Sequence, residues 1–245
     1  MKENSIGNRM KENYEDRYRI KLIRRMPVII RLDGKSFHTL TRYCEKPFDD
    51  DFSDCMTATA SYLLKNIQGA KCAYKQSDEI SILLTDFDKL TTDAWFDYNL
   101  QKMVSVSAGM ASSFFTNHSP DTFWWCRGRN TIIEKGLIVF DSRAFNVPKE
   151  EVCNYFIWRQ LDWFRNSLQM LARVHFSHKE LNEKNASDIH EMLHQKGVNW
   201  ADLEPVWKNG VFIWLDEEEG WQTTSDIIFT KTRGMIEQYM EPIED

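Results

Sequence analysis

Cysteine is scarce in this sequence: Cys44, Cys55, Cys72, Cys126 and Cys153 are odd in number and not closely paired. That excludes a disulfide framework and a Cys-x2-Cys zinc site, and it predicts reduced, mostly buried thiols. The six histidines also lack a zinc frame. His190 and His194 stand four apart, but no Glu or third ligand accompanies them, so they read as surface residues. There is no Gly-x-Ser-x-Gly elbow and no cysteine with a recognisable His partner, which sets hydrolytic triads aside. No apolar run approaches the roughly 20 residues that cross a bilayer. The first residues, Met1-Lys-Glu-Asn-Ser-Ile-Gly-Asn8, lack the apolar stretch of a secretory signal, so a cytoplasmic protein without a membrane span is expected.

Positive charge is also in deficit. A formal net charge of -6 argues against a generic nucleic-acid binder, whose affinity comes from neutralising phosphates. The deficit is uneven, however: residues 1–46 carry twelve Lys/Arg against six Asp/Glu, whereas residues 213–245 carry two against nine. The run Arg17, Arg19, Lys21, Arg24 and Arg25 fits either a solvated face or a phosphate track. No internal repeat or low-complexity segment is present.

What is present is an ordered alternation of strand-like and helix-like stretches. Residues 28–32 form a short apolar run ending at Asp33-Gly34, the pattern of a buried strand leaving into a tight turn. Residues 49–68 carry apolar positions at three-and-four spacing behind Asp49, Asp50 and Asp51, which predicts a helix with anions at its N-terminus. Residues 72–74 and 80–84 bracket Lys75-Gln-Ser-Asp-Glu79 as a hairpin with a polar tip. A helix over 92–115, a strand over 136–140 running into Asp141-Ser-Arg143, a helix over 148–173, a polar helix over 178–195 and a closing strand over 211–215 follow. The acidic run 216–219 reads as a solvated loop. The order βαββαβ is the ferredoxin-like split βαβ unit, also the core of polymerase palms, so an α+β fold is expected. Residues 1–145 would form the palm-like catalytic core, and residues 146–245 a helical part with a short strand packed on it as one compact unit.

Two-metal nucleotidyl transfer needs carboxylates from separate strands converging on Mg²⁺, which takes hard oxygen ligands. Asp33 at a strand exit and Asp78 on the hairpin suit that role, with Glu79 in reserve; both pairs equally fit ordinary turn acids. Gly34-Lys35-Ser36-Phe37-His38 adds a glycine for close approach, successive N–H groups that could cradle a triphosphate, and a lysine, without Walker A spacing. His38 is either a site residue or a turn histidine. Phe37 either stacks a base or belongs to the core. Trp124, Trp125, Trp158 and Trp163 read as helix and core aromatics, with base stacking open to one or two of them.

Arg31-Leu-Asp-Gly-Lys-Ser-Phe-His38 and Tyr74-Lys-Gln-Ser-Asp-Glu79 together resemble the signature blocks of the tRNA-His guanylyltransferase family, including its guanylyltransferase-like 3′-to-5′ polymerases. Phe140-Asp-Ser-Arg143, the helix Asn154-Tyr-Phe-Ile-Trp-Arg-Gln-Leu-Asp162 and, more loosely, Trp207-Lys-Asn-Gly210 resemble its later blocks, so the likeness spans nearly the whole chain. The resemblance implies that Asp33, the Gly34 carbonyl and Asp78 bind two Mg²⁺, with Glu79 supporting them. It implies that residues 33–38 (Asp33, Gly34, Lys35, Ser36, Phe37, His38) with Ser77 and Asp78 hold a nucleoside triphosphate. Lys46 and Asp49 would place a second nucleotide, and Lys102, Arg143 and Arg159 would contact tRNA phosphates. ATP and GTP would be substrates, tRNA the partner, and a homotetramer the assembly. The implied reaction adenylylates the tRNA 5′-phosphate and then displaces AMP with the 3′-hydroxyl of an incoming nucleotide.

One departure bears on the branch. After Asp162 the eukaryotic members carry His-Ile-Asn-Asn-Leu-Tyr-Asn, whereas this chain has Phe164-Arg-Asn-Ser-Leu-Gln-Met170, keeping Asn166 and Leu168 but not the His. Asn99 also stands where the family often has Arg, three residues before Lys102. The expectation is template-directed 5′-end repair rather than -1 guanosine addition to tRNA-His alone. A nucleotide cyclase and a noncatalytic RNA-binding palm are the competing readings.

Overall fold

A computed structural model describes residues 5–118, 138–216 and 218–241. Cys126, Trp124, Trp125 and the start of the strand expected over 136–140 lie outside the described residues.

Six antiparallel strands form one sheet in the order β4-β1-β3-β2-β5-β6: β1 (Val28–Gly34), β2 (Ala70–Gln76), β3 (Glu79–Leu84), β4 (Phe140–Asn146), β5 (Val211–Asp216) and β6 (Gly220–Thr224). The first four, in the order 4-1-3-2, are the ferredoxin-like arrangement expected from the sequence. Both strands from beyond residue 146 join the same sheet at the edge of β2.

Alternation along β1 divides the interior. Val28, Ile30 and Leu32 face a cluster with α3 (Asp50–Asn66) and α4 (Leu100–His118), among them Met56, Leu63, Met103 and Phe115. Ile29 faces the opposite side, packing with Val152, Tyr155 and Phe156 of the long helix α5 (Lys149–His175). Arg31 and Asp33 share the Ile29 face, so the helix above that face also overlies them. The C-terminal end of α5 runs on to pack Leu168, Leu171 and Ala172 against Ile189 and Leu193 of α7 (Ala186–His194).

Helix α3 starts where the sequence indicates, because the Asp49 carboxylate caps it by accepting the Phe52 amide at 2.8 Å, with Asp50 and Asp51 in its first turn. It ends at Asn66, before Gly69 with φ +80°, where a Cβ would meet the Thr85 carbonyl at 2.7 Å.

Three expectations are corrected. The helix expected over 92–115 begins at Leu100, because Phe96, Asp97 and Tyr98 take left-handed φ of 52°, 50° and 54° and the Asn99 side chain then accepts the Lys102 amide. The strand expected over 136–140 is β4, which starts at Phe140; its polar residues Asp141 and Arg143 face outward while Phe140 and Ala144 are buried. The helix expected over 178–195 is broken between α6 (His178–Leu181) and α7, each opened by its own capping box, Ser177 with Glu180 and Asn185 with Asp188. At the acidic run Glu218 and Glu219 are exposed as expected, and Asp216, which ends β5, accepts their amides at 2.9 Å before the chain returns as β6.

Candidate active site

Register builds the site. Asp33 on β1 pairs directly with Glu79 on β3 and with Asp141 on β4, so three carboxylates form one row across adjacent strands on the α5 face. Two residues back along β1, Arg31 pairs with Arg143 and Ser81, placing a basic row beside the acidic one. Asp78 sits at the β2–β3 hairpin tip, and its carbonyl accepts the Gly34 amide at 3.1 Å, holding the β1 exit against the tip.

The loop after Asp33 is tightly determined. A Cβ on Gly34 would lie 2.4 Å from the Phe37 ring, so only glycine fits there. Phe37 is itself 1% exposed and packs edge-on or tilted against Phe52, Phe115 and Phe140; it is a core residue, and the alternative of base stacking is set aside. Ser36 and Ser77 hold left-handed φ of 57° and 45°, conformations that cost about 1–3 kcal/mol each in non-glycine residues. The Lys35 amide donates to the Val139 carbonyl, whereas the amides of Phe37 and His38 have no acceptor among the described residues. The side chains of Lys35, Ser36 and His38 are exposed.

Burial and mutual repulsion raise the acids. Asp78 is pushed up to about 6 by desolvation and then by the Asp33 charge, partly offset by its own backbone amide and the Ser77 hydroxyl. Asp33 is raised by desolvation and then by Asp141, against Arg143, Arg31 and Arg159. Glu79 is raised by desolvation, with Arg159 opposing. A cation between Asp33 and Asp78 would relieve this strain, and these are hard oxygen donors of the kind Mg²⁺ takes. Among the described residues no three His, Cys, Asp or Glu side chains form a ligand set.

Helix α5 supplies the wall opposite. Arg159 is buried and grips Glu79 with two bonds, Nε to Oε1 at 2.7 Å and Nη2 to Oε2 at 2.8 Å, and Asp162 with a third at 3.0 Å. Nε and Nη2 are thus engaged by carboxylates, which leaves Nη1 for the phosphate contact expected of this residue. Gln160 ties the C-terminal segment down, donating to the Asn209 and Ile227 carbonyls and accepting the Phe229 amide. Trp158 is half exposed, with the guanidinium of Arg159 over its ring at 4.5 Å and that of Arg31 at 5.9 Å.

The remaining expected residues are placed as follows. Asp49 has both carboxylate oxygens on backbone amides, those of Phe52 and Glu45. Lys46 donates to the Thr41 carbonyl at 2.7 Å. Arg143 is half exposed and pairs with Asp141 at 3.2 Å. Lys102 lies over the Phe96 ring at 5.8 Å, on the first turn of α4. Within the N-terminal basic run Arg24 and Arg25 clamp Asp86, Lys21 pairs with Asp97, and Arg19 pairs with Glu15 and Asp16, while Arg17 is exposed.

Three residues escaped sequence reasoning. Asp141 was quoted within a block, but only strand register puts it beside Asp33. Arg173 joins the site through the face of α5 it shares with Asp162. Lys75, 3% exposed and bonded to Ser53 Oγ at 2.5 Å, has its ammonium pulled down to about 7 by burial. An apolar strand carrying a buried lysine was the available signal.

The sequence matches the Thg1 family, described as tRNAHis guanylyltransferase, over residues 7–148. The tRNA(His) guanylyltransferase of Schizosaccharomyces pombe is 28% identical over 204 residues, 78% of this chain and 73% of that one. A solved bacterial tRNA(His) guanylyltransferase (Thg1)-like protein in complex with ATP superposes with a TM-score of 0.86 at 45% identity, covering 98% of this chain and 100% of that one. A bacterial protein of the same description in complex with GTP gives 0.78 at 42% identity, covering 96% and 99%.

Proposed function

This chain belongs to the tRNAHis guanylyltransferase family and is a nucleotidyltransferase, and from that premise we propose that it restores missing nucleotides at the 5′ end of tRNA, adding them in the 3′-to-5′ direction against the opposite strand as template. The observation that carries the chemistry is Asp33 and Asp78 meeting beside a loop with free amides. ATP and GTP as substrates are supported by the ligands of the similar bacterial structures.

In the first step an oxygen of the RNA 5′-phosphate attacks the α-phosphorus of ATP. The bond to the β-phosphate breaks, and pyrophosphate leaves with the electron pair. In the second, the 3′-hydroxyl oxygen of the incoming nucleotide attacks the 5′-phosphorus of the RNA, AMP leaves, and the hydroxyl proton passes to solvent. Asp33, the Gly34 carbonyl and Asp78 would hold two Mg²⁺, which supply charge neutralisation at the reacting phosphates. The amides of Phe37 and His38, with Lys35 and the Ser36 and Ser77 turns, orient the triphosphate. Lys46 and Asp49 shape the loop around a second nucleotide, while Lys102 and Arg143 face the RNA backbone. Arg159 acts through Glu79, keeping that carboxylate turned toward α5.

Repair is favoured over strict tRNA-His recognition by Phe164, which packs edge-on against Trp200 at 5.9 Å where the eukaryotic motif has a histidine. The family description favours the second reading, addition of -1 guanosine to tRNA-His. A homotetramer is the proposed assembly, supported by an N-terminal arm whose Ile6, Met10, Tyr14 and Tyr18 are all exposed.

The test incubates the protein with Mg²⁺, ATP, labelled GTP and either a tRNA lacking its first nucleotide or full-length tRNA-His, with Asp33→Ala as control. Incorporation into the truncated tRNA that follows the opposing base is expected. Incorporation only at position -1 of tRNA-His, regardless of the opposing base, overturns the repair reading, and no incorporation into either RNA overturns polymerase activity.

A further inference from the structure

Two cavities meet over Ser77, Asp78, Met170 and Arg173. One passes Asp33, Glu79, Asp162 and Asn166 beneath α5; the other passes Phe37, His38, Thr41 and Lys46 along the phosphate loop. Nucleotidyl transfer joins two substrates at one phosphorus, so two approaches converging on Asp78 are what the reaction needs.

The two approaches differ in charge. The loop side offers Lys46, His38, the neighbouring Lys35 and free amides, donors that suit a triphosphate. The α5 side is lined by carboxylates, and its buried guanidinium, Arg159, is engaged by Glu79 and Asp162. Arg159 thus keeps only Nη1 for a phosphate, whereas the whole guanidinium of Arg173 is available. Asp162, Asn166, Met170 and Arg173 are spaced four, four and three apart, one face of the helix, which carries Arg173 to the junction of the cavities. Arg173 is exposed and has neither a hydrogen bond nor an ion pair among the described residues. A guanidinium in that position can grip a phosphate through two parallel N–H bonds, a geometry a lysine lacks.

We propose that Arg173 binds the 5′-monophosphate of the RNA where the two cavities meet, presenting one of its oxygens toward the nucleotide on the loop side. The assignment rests on the nucleotidyl-transfer reading above. It adds a phosphate-binding residue from the C-terminal end of α5 to the loop and acid residues of the palm.

The full chain, with Mg²⁺ and no nucleotide, is titrated into a fluorescent RNA hairpin lacking its first nucleotide and ending in either a 5′-monophosphate or a 5′-hydroxyl. The wild-type protein is expected to bind the phosphorylated form about tenfold more tightly, the loss typical of one charged hydrogen-bonding partner. Arg173→Gln should bind both forms with the affinity of the hydroxyl form, Arg173→Lys should recover part of the difference, and the affinity for ATP and the melting temperature should not move. The proposal is overturned if the wild type does not distinguish the two RNAs, if Arg173→Gln still does, or if Arg173→Gln loses ATP instead, which would assign the residue to the triphosphate. AMP transfer from labelled ATP by the wild type tests the parent reading separately: phosphate-dependent binding without transfer sinks that reading and leaves the Arg173 contact standing.

Discussion

Replacing Arg159 by methionine keeps the length of the side chain and removes its charge. The side chains of Arg159 and Glu79 are 8% and 12% exposed, and their two bonds at 2.7 and 2.8 Å form a closed fork. Removing one partner of such a pair costs about 3–5 kcal/mol, because the remaining buried charge is uncompensated, whereas removing both is often close to neutral. Glu79 lines an open cavity and can take up a proton, so the lower end, about 3 kcal/mol, is expected for Arg159→Met near neutral pH.

The pH dependence has a definite sense. Burial already raises Glu79, with Arg159 opposing, so Arg159→Met raises it further. A carboxyl whose folded pKa exceeds its unfolded value contributes stability below the unfolded pKa and loses it as pH rises through the folded one. The deficit of Arg159→Met should therefore be largest at about pH 8 and shrink toward about pH 5. Urea unfolding followed by tryptophan fluorescence at both pH values measures it, and Arg159→Met/Glu79→Gln should be more stable than Arg159→Met alone at the higher pH. A deficit below about 1 kcal/mol at the higher pH, the range of surface pairs, or a double variant no better than the single one, would refute the reasoning.

Asp78→Asn should abolish AMP transfer yet raise the melting temperature measured without divalent ions, since it removes a buried charge repelled by Asp33; a lower melting temperature would contradict the repulsion. Gly34→Ala drives a methyl into the Phe37 ring, and overpacking of this kind costs about 1–3 kcal/mol, so a loss of both stability and triphosphate affinity is expected in denaturation and nucleotide-binding assays. Lys75 is depressed to about 7, so above that pH the unfolded chain binds the extra proton and native stability rises with pH. Lys75→Met should flatten that rise in urea titrations between about pH 7 and 10, and parallel profiles for the two proteins would exclude a buried, depressed ammonium.

The strands nearest the chemistry were legible because their apolar runs are bounded by turn residues: β1 stops at Asp33-Gly34, and β2 and β3 flank Ser77-Asp78. β4 was misplaced for the same reason, since Asp141-Ser142-Arg143 looks like a turn until pairing with β1 shows it to be a strand, with Asp141 and Arg143 on the α5 face and Ser142 turned to Ser107 of α4. β6, Gly-Trp-Gln-Thr-Thr, lies at the sheet edge and is partly exposed, so no apolar alternation marked it. The start of α4 depended on three consecutive left-handed residues that no propensity favours. Within the site, Asp33 and Asp78 stood out through their neighbours in sequence, whereas Asp141 required register and Arg173 required the face of a helix.

An acidic row on a ferredoxin-like sheet does not by itself choose a reaction; cyclases and polymerases can both be built on it. The choice lies in what covers the row. Here α5 is bound to the acids through Arg159 and Glu79, to the sheet through Tyr155 on Ser81 at 2.7 Å, and to the C-terminal segment through the three bonds of Gln160. These contacts lie in the first half of a 27-residue helix, and beyond them the face from Asp162 to Arg173 walls the cavity that holds Asp33 and Asp78. A small cyclic product needs no such wall. A substrate whose 5′ end must be brought to the acids would use one, in agreement with the polymerase reading proposed above.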